Sequence, residues 1–185
     1  METLFAPTQF GMPTHNAIVE DVKQQYDDTC AIKSQELILN SAGMPYTEDE
    51  LVQEAIQNGW YEPGKGTSVE DVGKLLELHD VDVAQFHDAS IFNLVSELSK
   101  GHPVIVGVDS GELWNPGFEE TFEDFINPYG ADHALLVSGI EFNDDFSNAT
   151  VNLIDPGSGD FSKGYELAQF EDAWADSDHF MVSII

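Results

Sequence analysis

The chain holds a single cysteine, and its neighbourhood is suited to a nucleophile. Cys30 stands where the polar segment Gln24-Gln25-Tyr26-Asp27-Asp28-Thr29 meets a run with helical spacing. A thiol at a helix N-terminus lies at the positive end of the helix dipole, which favours the thiolate. Gln24, six residues upstream, offers a side-chain amide to a developing oxyanion, with Gln25 as its adjacent rival. A thiol nucleophile also needs a base, and a group to fix the tautomer of that base. Of six histidines, His133 has the most suitable position, directly before the apolar run Ala134-Leu135-Leu136-Val137. A ring at a strand end faces a cleft while the strand stays in the core. The following strand, Thr150 to Ile154, ends at Asp155. A hairpin brings the start of one strand beside the end of the next, so Asp155 is expected to accept a hydrogen bond from His133 and hold its other nitrogen toward Cys30. His179 also follows an aspartate and precedes an apolar run, but no acidic residue follows it; His15, His79, His87 and His102 read as surface or turn residues.

Other chemistries find less support. Without a second cysteine or paired histidines at ligand spacing there is no zinc pattern. Asp144-Asp145 and the Asp155 to Asp160 turn lack the spacing of a calcium loop and read as solvated turns, so no metal and no cofactor are expected. Gly64-Lys65-Gly66 is not a phosphate loop. The balance of 35 acidic against 6 basic side chains gives a net charge of -29. Nucleic acid and anionic membrane surfaces would be repelled, whereas a cationic or neutral substrate is tolerated. A lone cysteine forms no internal disulfide, so the fold does not depend on an oxidising compartment. Met1 to Asn16 has neither a basic region nor a long apolar run. No signal peptide or membrane span is read there, and a cytoplasmic location is the default, with export left open.

The elements that must position these residues follow from periodicity. Residues 1–22, with Pro7, Gly11 and Pro13, read as an extended lead-in, and residues 23–185 as one domain. Thr29 is expected to cap a mostly buried helix from Cys30 to Gly43. Thr47-Glu48-Asp49-Glu50 has the capping-box pattern for a helix ending near Asn58-Gly59. Further helices are expected from Thr67 to Leu78 and from Ser90 to Lys100, with a short strand from Val81 to Phe86 between them. The character then changes. Pro103 to Val108 is a β-branched strand, and Asp109 to Gly130 reads as a long aromatic-rich loop. Strands from His133 to Phe142 and from Thr150 to Ile154, a short helix from Leu167 to Trp174 and a closing strand from Phe180 to Ile185 complete the chain. Helices first and an antiparallel sheet afterwards indicate a two-layer α+β domain.

Several of these pieces, in this order, resemble a papain-like cysteine peptidase of the branch related to the bacteriocin-processing, double-glycine leader peptidases. Gln24 and Cys30 match the glutamine and nucleophile of that family, and Asp27-Asp28 lie between them. Gly66-Thr67-Ser68 with Leu75-Leu76 is similar to its second helical segment, and Lys100 to Val106 to its helix-to-strand entry. Asp132-His133-Ala134-Leu135-Leu136-Val137-Ser138-Gly139 resembles the histidine strand, Asn152-Leu153-Ile154-Asp155-Pro156 the aspartate turn, and Phe170 with Trp174 the final helix. Ala31 departs from the glycine or tryptophan frequent after the cysteine, and no transporter or nucleotide-binding domain accompanies the match. The resemblance spans about residues 20–184. It implies the papain-like α+β fold and hydrolysis of a peptide bond through Cys30, His133, Asp155 and the Gln24 amide, with a peptide or protein as substrate. An amidase or transamidase using the same site, or a peptide-binding domain on this fold, are the alternatives. Residues 109–130 look like an insertion beside the cleft. Trp114, Phe118, Phe122, Phe125 and Asp132 are the candidate substrate contacts.

Overall fold

The computed structural model describes residues 8–11, 21–114, 131–143 and 148–185. Helix α1 runs Cys30–Ser41 and α2 Glu48–Asn58. The capping box forms as the sequence indicates: the Thr47 hydroxyl accepts from the Glu50 N–H and the Glu50 carboxylate accepts from the Thr47 N–H. Gly59 ends α2 in the left-handed conformation. The helix expected from Thr67 is broken. A 3₁₀ turn, Val69–Asp71, precedes a short α3, Lys74–Leu78. The break falls at Gly73, whose φ is +101°; a Cβ there would also lie 3.2 Å from a Val182 methyl group. The chain can therefore turn and press against the sheet only with glycine at this point.

The sheet, β1 to β7, comprises Thr8–Gly11, Val83–Phe86, Val104–Val108, His133–Phe142, Ala149–Asp155, Asp160–Glu166 and Met181–Ile184. Its order is β2-β7-β3-β4-β5-β6, with antiparallel pairing throughout. Strand β1 pairs with the second half of β4, Thr8 opposite Phe142, beyond the point where β3 leaves it. Part of the N-terminal lead-in is thus a strand of the sheet. Strand β6 has no apolar run to announce it, since most of Asp160–Glu166 is exposed. Helices α4, Ile91–Ser99, and α6, Leu167–Ala175, match the expected positions. A further short helix, α5, Ser110–Trp114, forms where a loop was expected.

The layering differs from the two-layer expectation. One core cluster joins α1, α2 and α3 to Ile105, Leu136 and Val182 of the sheet. A second joins α4, α5 and α6 to Val104, Val106, Leu135 and Val137. Alternate residues of β3 and β4 therefore enter opposite cores, which is why both strands read as unbroken apolar runs. Trp174 and Phe170 are fully buried in the second core, and the Trp174 indole N–H is satisfied by the Phe180 carbonyl at 2.9 Å.

Helix α1 is buried on most sides, including its polar residues. The Lys33 ammonium lies 3.0 Å from Glu36. The Gln35 carboxamide accepts from the Gly73 and Leu75 N–H groups at 3.0 and 3.1 Å and donates to the Ala31 carbonyl, locking α3 to α1. A helix held this way gives its first residue, Cys30, a fixed position. Among the described residues no helix is long and apolar enough to cross a membrane. Nor, among them, do three or more His, Cys, Asp or Glu side chains gather as a metal site.

Candidate active site

Cys30 is half-buried at the start of α1, and its Sγ receives the Ala134 N–H at 3.4 Å. That bond joins the head of α1 to the strand beginning at His133. The hairpin of β4 and β5 sets His133 beside Asp155, with 2.7 Å between His133 Nε2 and Asp155 Oδ1. Both side chains are almost fully enclosed, at 8% and 4% exposure. With Nε2 engaged, Nδ1 is the ring nitrogen left free for the thiol, and the Ala134 bond holds Cys30 beside the residue that carries the ring. Burial pulls the imidazole down. Interaction with Asp155 and with the neighbouring Cys30 sulfur outweighs burial and raises its pKa to about 10. Burial likewise pushes Asp155 up, but the His133 hydrogen bond and charge, followed by Gly157 and Ser158, hold it below the usual carboxylate range. The structure thus sets His133 against Asp155, and Ala134, the residue after His133, against the Cys30 sulfur.

Asp155 is held from several sides. The Gly157 N–H donates to Oδ1 at 2.8 Å, and the Ser158 hydroxyl to Oδ2 at 3.0 Å. Gly157 is required here for closeness: a Cβ would lie 3.0 Å from His133 Cε1 and 3.3 Å from Asp155 Oδ1. In sequence this residue is only part of a Pro-Gly turn. Trp114, expected from sequence as a substrate contact, donates its indole N–H to Asp155 Oδ2 at 3.2 Å, and its ring lies 5.5 Å from that of His133. Asp132 accepts from the Ser110 N–H and hydroxyl at 2.9 and 3.0 Å, tethering the start of α5, while also lining the cleft. Asp132 and α5 together hold Trp114 over the His133–Asp155 pair. Phe118, Phe122 and Phe125 lie outside the described residues. Trp114→Phe removes one donor from Asp155 while keeping an aromatic ring. The expected cost is about 1 kcal/mol, read as a lower urea midpoint with unchanged m-value.

Gln24 sits beside the acid turn, its backbone N–H donating to the Pro156 carbonyl at 2.9 Å. Its side-chain amide donates one hydrogen to the Tyr26 carbonyl at 2.7 Å, and its Oε1 is buried without a partner. Thr29 does not cap α1 as expected. Its one hydroxyl hydrogen is shared between Glu48 and the Tyr26 carbonyl, and its oxygen accepts no helix N–H. Glu48, 1% exposed, also accepts the Gln25 N–H, at 3.1 and 3.0 Å to its two oxygens. Asp28 accepts from the Tyr61 hydroxyl at 2.7 Å and from the Gly64 N–H. These bonds hold its carboxyl low against the effect of burial. The aspartates before the cysteine are thus a structural anchor and an exposed neighbour. Glu48 was missed because a carboxylate in the first turn of a capped helix looks complete in sequence.

A cleft of about 420 Å³ opens over Cys30 and His133. Its lining includes Asp27, Asp28, Lys65, Gly66, Thr67 and Val69, the segment Ala131 to Ala134, and Ser177 and Phe180.

Comparison with known proteins bears on the fold that holds this site. The fold is similar to that of a Bacillus anthracis protein assigned as a C39-like peptidase, with a TM-score of 0.67 at 15% identity, covering 95% of this chain and 97% of that one. It is similar to the peptidase domain of Streptococcus ComA, a bi-functional ABC transporter involved in quorum sensing, with a TM-score of 0.59 at 14% identity, covering 88% and 93%. A double glycine motif protease from an AMS/PCAT transporter, solved in complex with the leader peptide, aligns with a TM-score of 0.58 at 12% identity, covering 95% and 97%. These identities carry the fold alone, which is the mixed helix and antiparallel-sheet architecture of papain-like C39 peptidases. No curated protein sequence matches the chain. The model of one family matches residues 18–180, and by that match the chain belongs to the Peptidase_C39 like family.

Proposed function

We propose that this protein is a cysteine peptidase that hydrolyses a peptide bond through Cys30, His133 and Asp155. One observation carries the reading: the His133 ring is bonded to Asp155 at 2.7 Å while the next backbone N–H, that of Ala134, is bonded to the Cys30 sulfur at 3.4 Å, so all three groups meet at one open cleft. Asp155 fixes the ring and favours its charged form, so His133 takes the thiol proton and holds it for the leaving group. The Cys30 sulfur attacks the scissile carbonyl. The oxyanion that forms accepts from the Cys30 backbone N–H, which at the start of α1 has no partner within the helix. It also accepts from the second amide hydrogen of Gln24, the first being held by Tyr26. The imidazolium protonates the leaving amine, the carbon–nitrogen bond breaks, and a thioester remains on Cys30. His133 then takes a proton from the water that attacks the thioester and passes it to the departing sulfur, which frees the carboxylic acid product and restores the thiol.

A peptide substrate is supported by the family and by the leader peptide bound to one structural neighbour. The test is a mixed peptide library with mass analysis of the protein and of the products. The expected result is cleaved peptides together with a transient acyl adduct on Cys30. An intact library, with peptides bound equally well by the wild type and by Cys30→Ala, would make this a recognition domain instead.

A further inference from the structure

The loop that carries Gln24 and leads into Cys30 is held from beneath by one buried carboxylate, which the proposed reaction does not use. Glu48 opens α2 and is 1% exposed. Its Oε1 accepts the Gln25 N–H at 3.1 Å and the Thr29 hydroxyl, and its Oε2 accepts the Gln25 N–H at 3.0 Å. Gln25 is next to Gln24, and Thr29, fully buried, is next to Cys30. Glu48 therefore grips the loop one residue inside each end of the stretch that bears the two oxyanion donors. Thr29 passes the grip on, because its single hydroxyl hydrogen is shared between Glu48 and, at 3.0 Å, the Tyr26 carbonyl, the same oxygen that receives the Gln24 amide. A chain of hydrogen bonds thus runs from Glu48 through Thr29 and Tyr26 to the Gln24 side chain. The other anchors lie off this chain: Tyr26 to Asp49 at 2.7 Å near the surface, Asp28 to Tyr61, and Gln24 N–H to Pro156.

A helix cap does not account for Glu48. The capping box of α2 is already complete with Thr47 and Glu50, so Glu48 is surplus to starting that helix. Taking a carboxylate out of water is costly unless it is hydrogen-bonded, and each donor it meets here belongs to the loop before Cys30. We infer that Glu48 is a positioning residue for acyl transfer: it sets the distance between the Gln24 amide and the Cys30 N–H, and so the width of the oxyanion site. This role rests on the cysteine-peptidase reading.

The experiment compares two reactions of the same sulfur. Alkylation by iodoacetamide needs the thiolate and its histidine but builds no oxyanion. Acylation by p-nitrophenyl acetate does build one, and requires no knowledge of the natural peptide. In Glu48→Ala, acylation is expected to fall about 100-fold, the loss that follows a misplacement of about 1 Å in a reacting site. Alkylation should stay within about threefold of wild type, because the Cys30–His133 contact is untouched. Glu48→Gln keeps an oxygen where Oε1 lies, able to accept from both Gln25 and Thr29, and is expected to recover most of the acylation rate. If Glu48→Ala does not fold, Thr29→Val decides: it deletes only the hydroxyl, and should lower acylation at least about tenfold while sparing alkylation. Equal loss of both reactions, or no loss of acylation, in the deciding variant would overturn the assignment. A wild-type protein that is alkylated but never acylated would overturn the acyl-transfer reading, and this role with it. A normally acylated wild type with an equally active Glu48→Ala would overturn the role of Glu48 alone.

Discussion

Cys30→Ala is expected to reduce peptide hydrolysis to background, a loss on the order of a million-fold, as when the nucleophile of a triad is removed. With one cysteine in the chain, no other thiol can take over the acyl group. The variant should remain folded. The Cys30 sulfur is half-buried and accepts one 3.4 Å bond from the Ala134 N–H, so losing it costs about 1 kcal/mol. Paired measurements of product release and thermal midpoint separate the two effects. Residual cleavage above a few percent by Cys30→Ala would sink the covalent mechanism, whatever the substrate.

The second large effect is expected at Asp155. In Asp155→Asn the carboxamide can still accept from His133, but the negative charge is gone. The raised pKa of His133, about 10, depends on that charge and on interaction with Asp155 and the neighbouring Cys30 sulfur. If the imidazolium is the form that protonates the leaving amine, wild-type kcat/KM has its alkaline limb near pH 10. The limb should move down by at least about one unit in Asp155→Asn, each unit being about 1.4 kcal/mol. Stability follows the same linkage. A histidine raised from 6.5 to about 10 on folding contributes stability fully present below pH 6.5 and lost as pH climbs toward 10. Asp155, held below its usual range, contributes stability that is present above pH 3.8 and lost as pH falls below it. Urea midpoints should therefore show the pair's full contribution between about pH 4 and 6.5. They should fall above neutrality in the wild type and stay flatter in Asp155→Asn. An alkaline limb that does not move in the variant would mean that Asp155 does not govern the charge on His133.

Sequence reasoning reached the thiol, the imidazole and the carboxylate because each sits at the end of a periodic element. A helix start, a strand start and a strand end are legible from spacing, and hairpin geometry then predicts which ends meet. It did not reach the groups that hold these three in place. Gly157 matters through a 3.0 Å approach to His133, and a Pro-Gly turn looks the same whether or not a ring lies against it. Trp114 was legible as an aromatic near the cleft, but not as a donor to Asp155, because α5 is too short to show a period. Thr29 looked like a helix cap because it precedes the helix; a buried carboxylate 19 residues away takes its hydroxyl instead. The burial of both sheet faces was written in the unbroken apolar runs of β3 and β4, yet such a run fits a one-sided core as easily until α6 is seen to pack behind it.

Strand β7 lies between β2 and β3, so residues 181–184 fill the middle of one half of the sheet. Ser177 and Phe180, just before it, form part of the cleft wall, and Cys30 meets Ala134 across 104 residues of sequence. Contacts this far apart form late, since long loops must close before any pairing rewards them. On the ribosome, the thiol therefore emerges before its partner base. That base, and then the strand that joins the two parts of the sheet, are synthesised more than a hundred residues later. Cys30 and His133 therefore meet only after β4 has been made, and a chain interrupted between them carries the thiol without the base proposed for it.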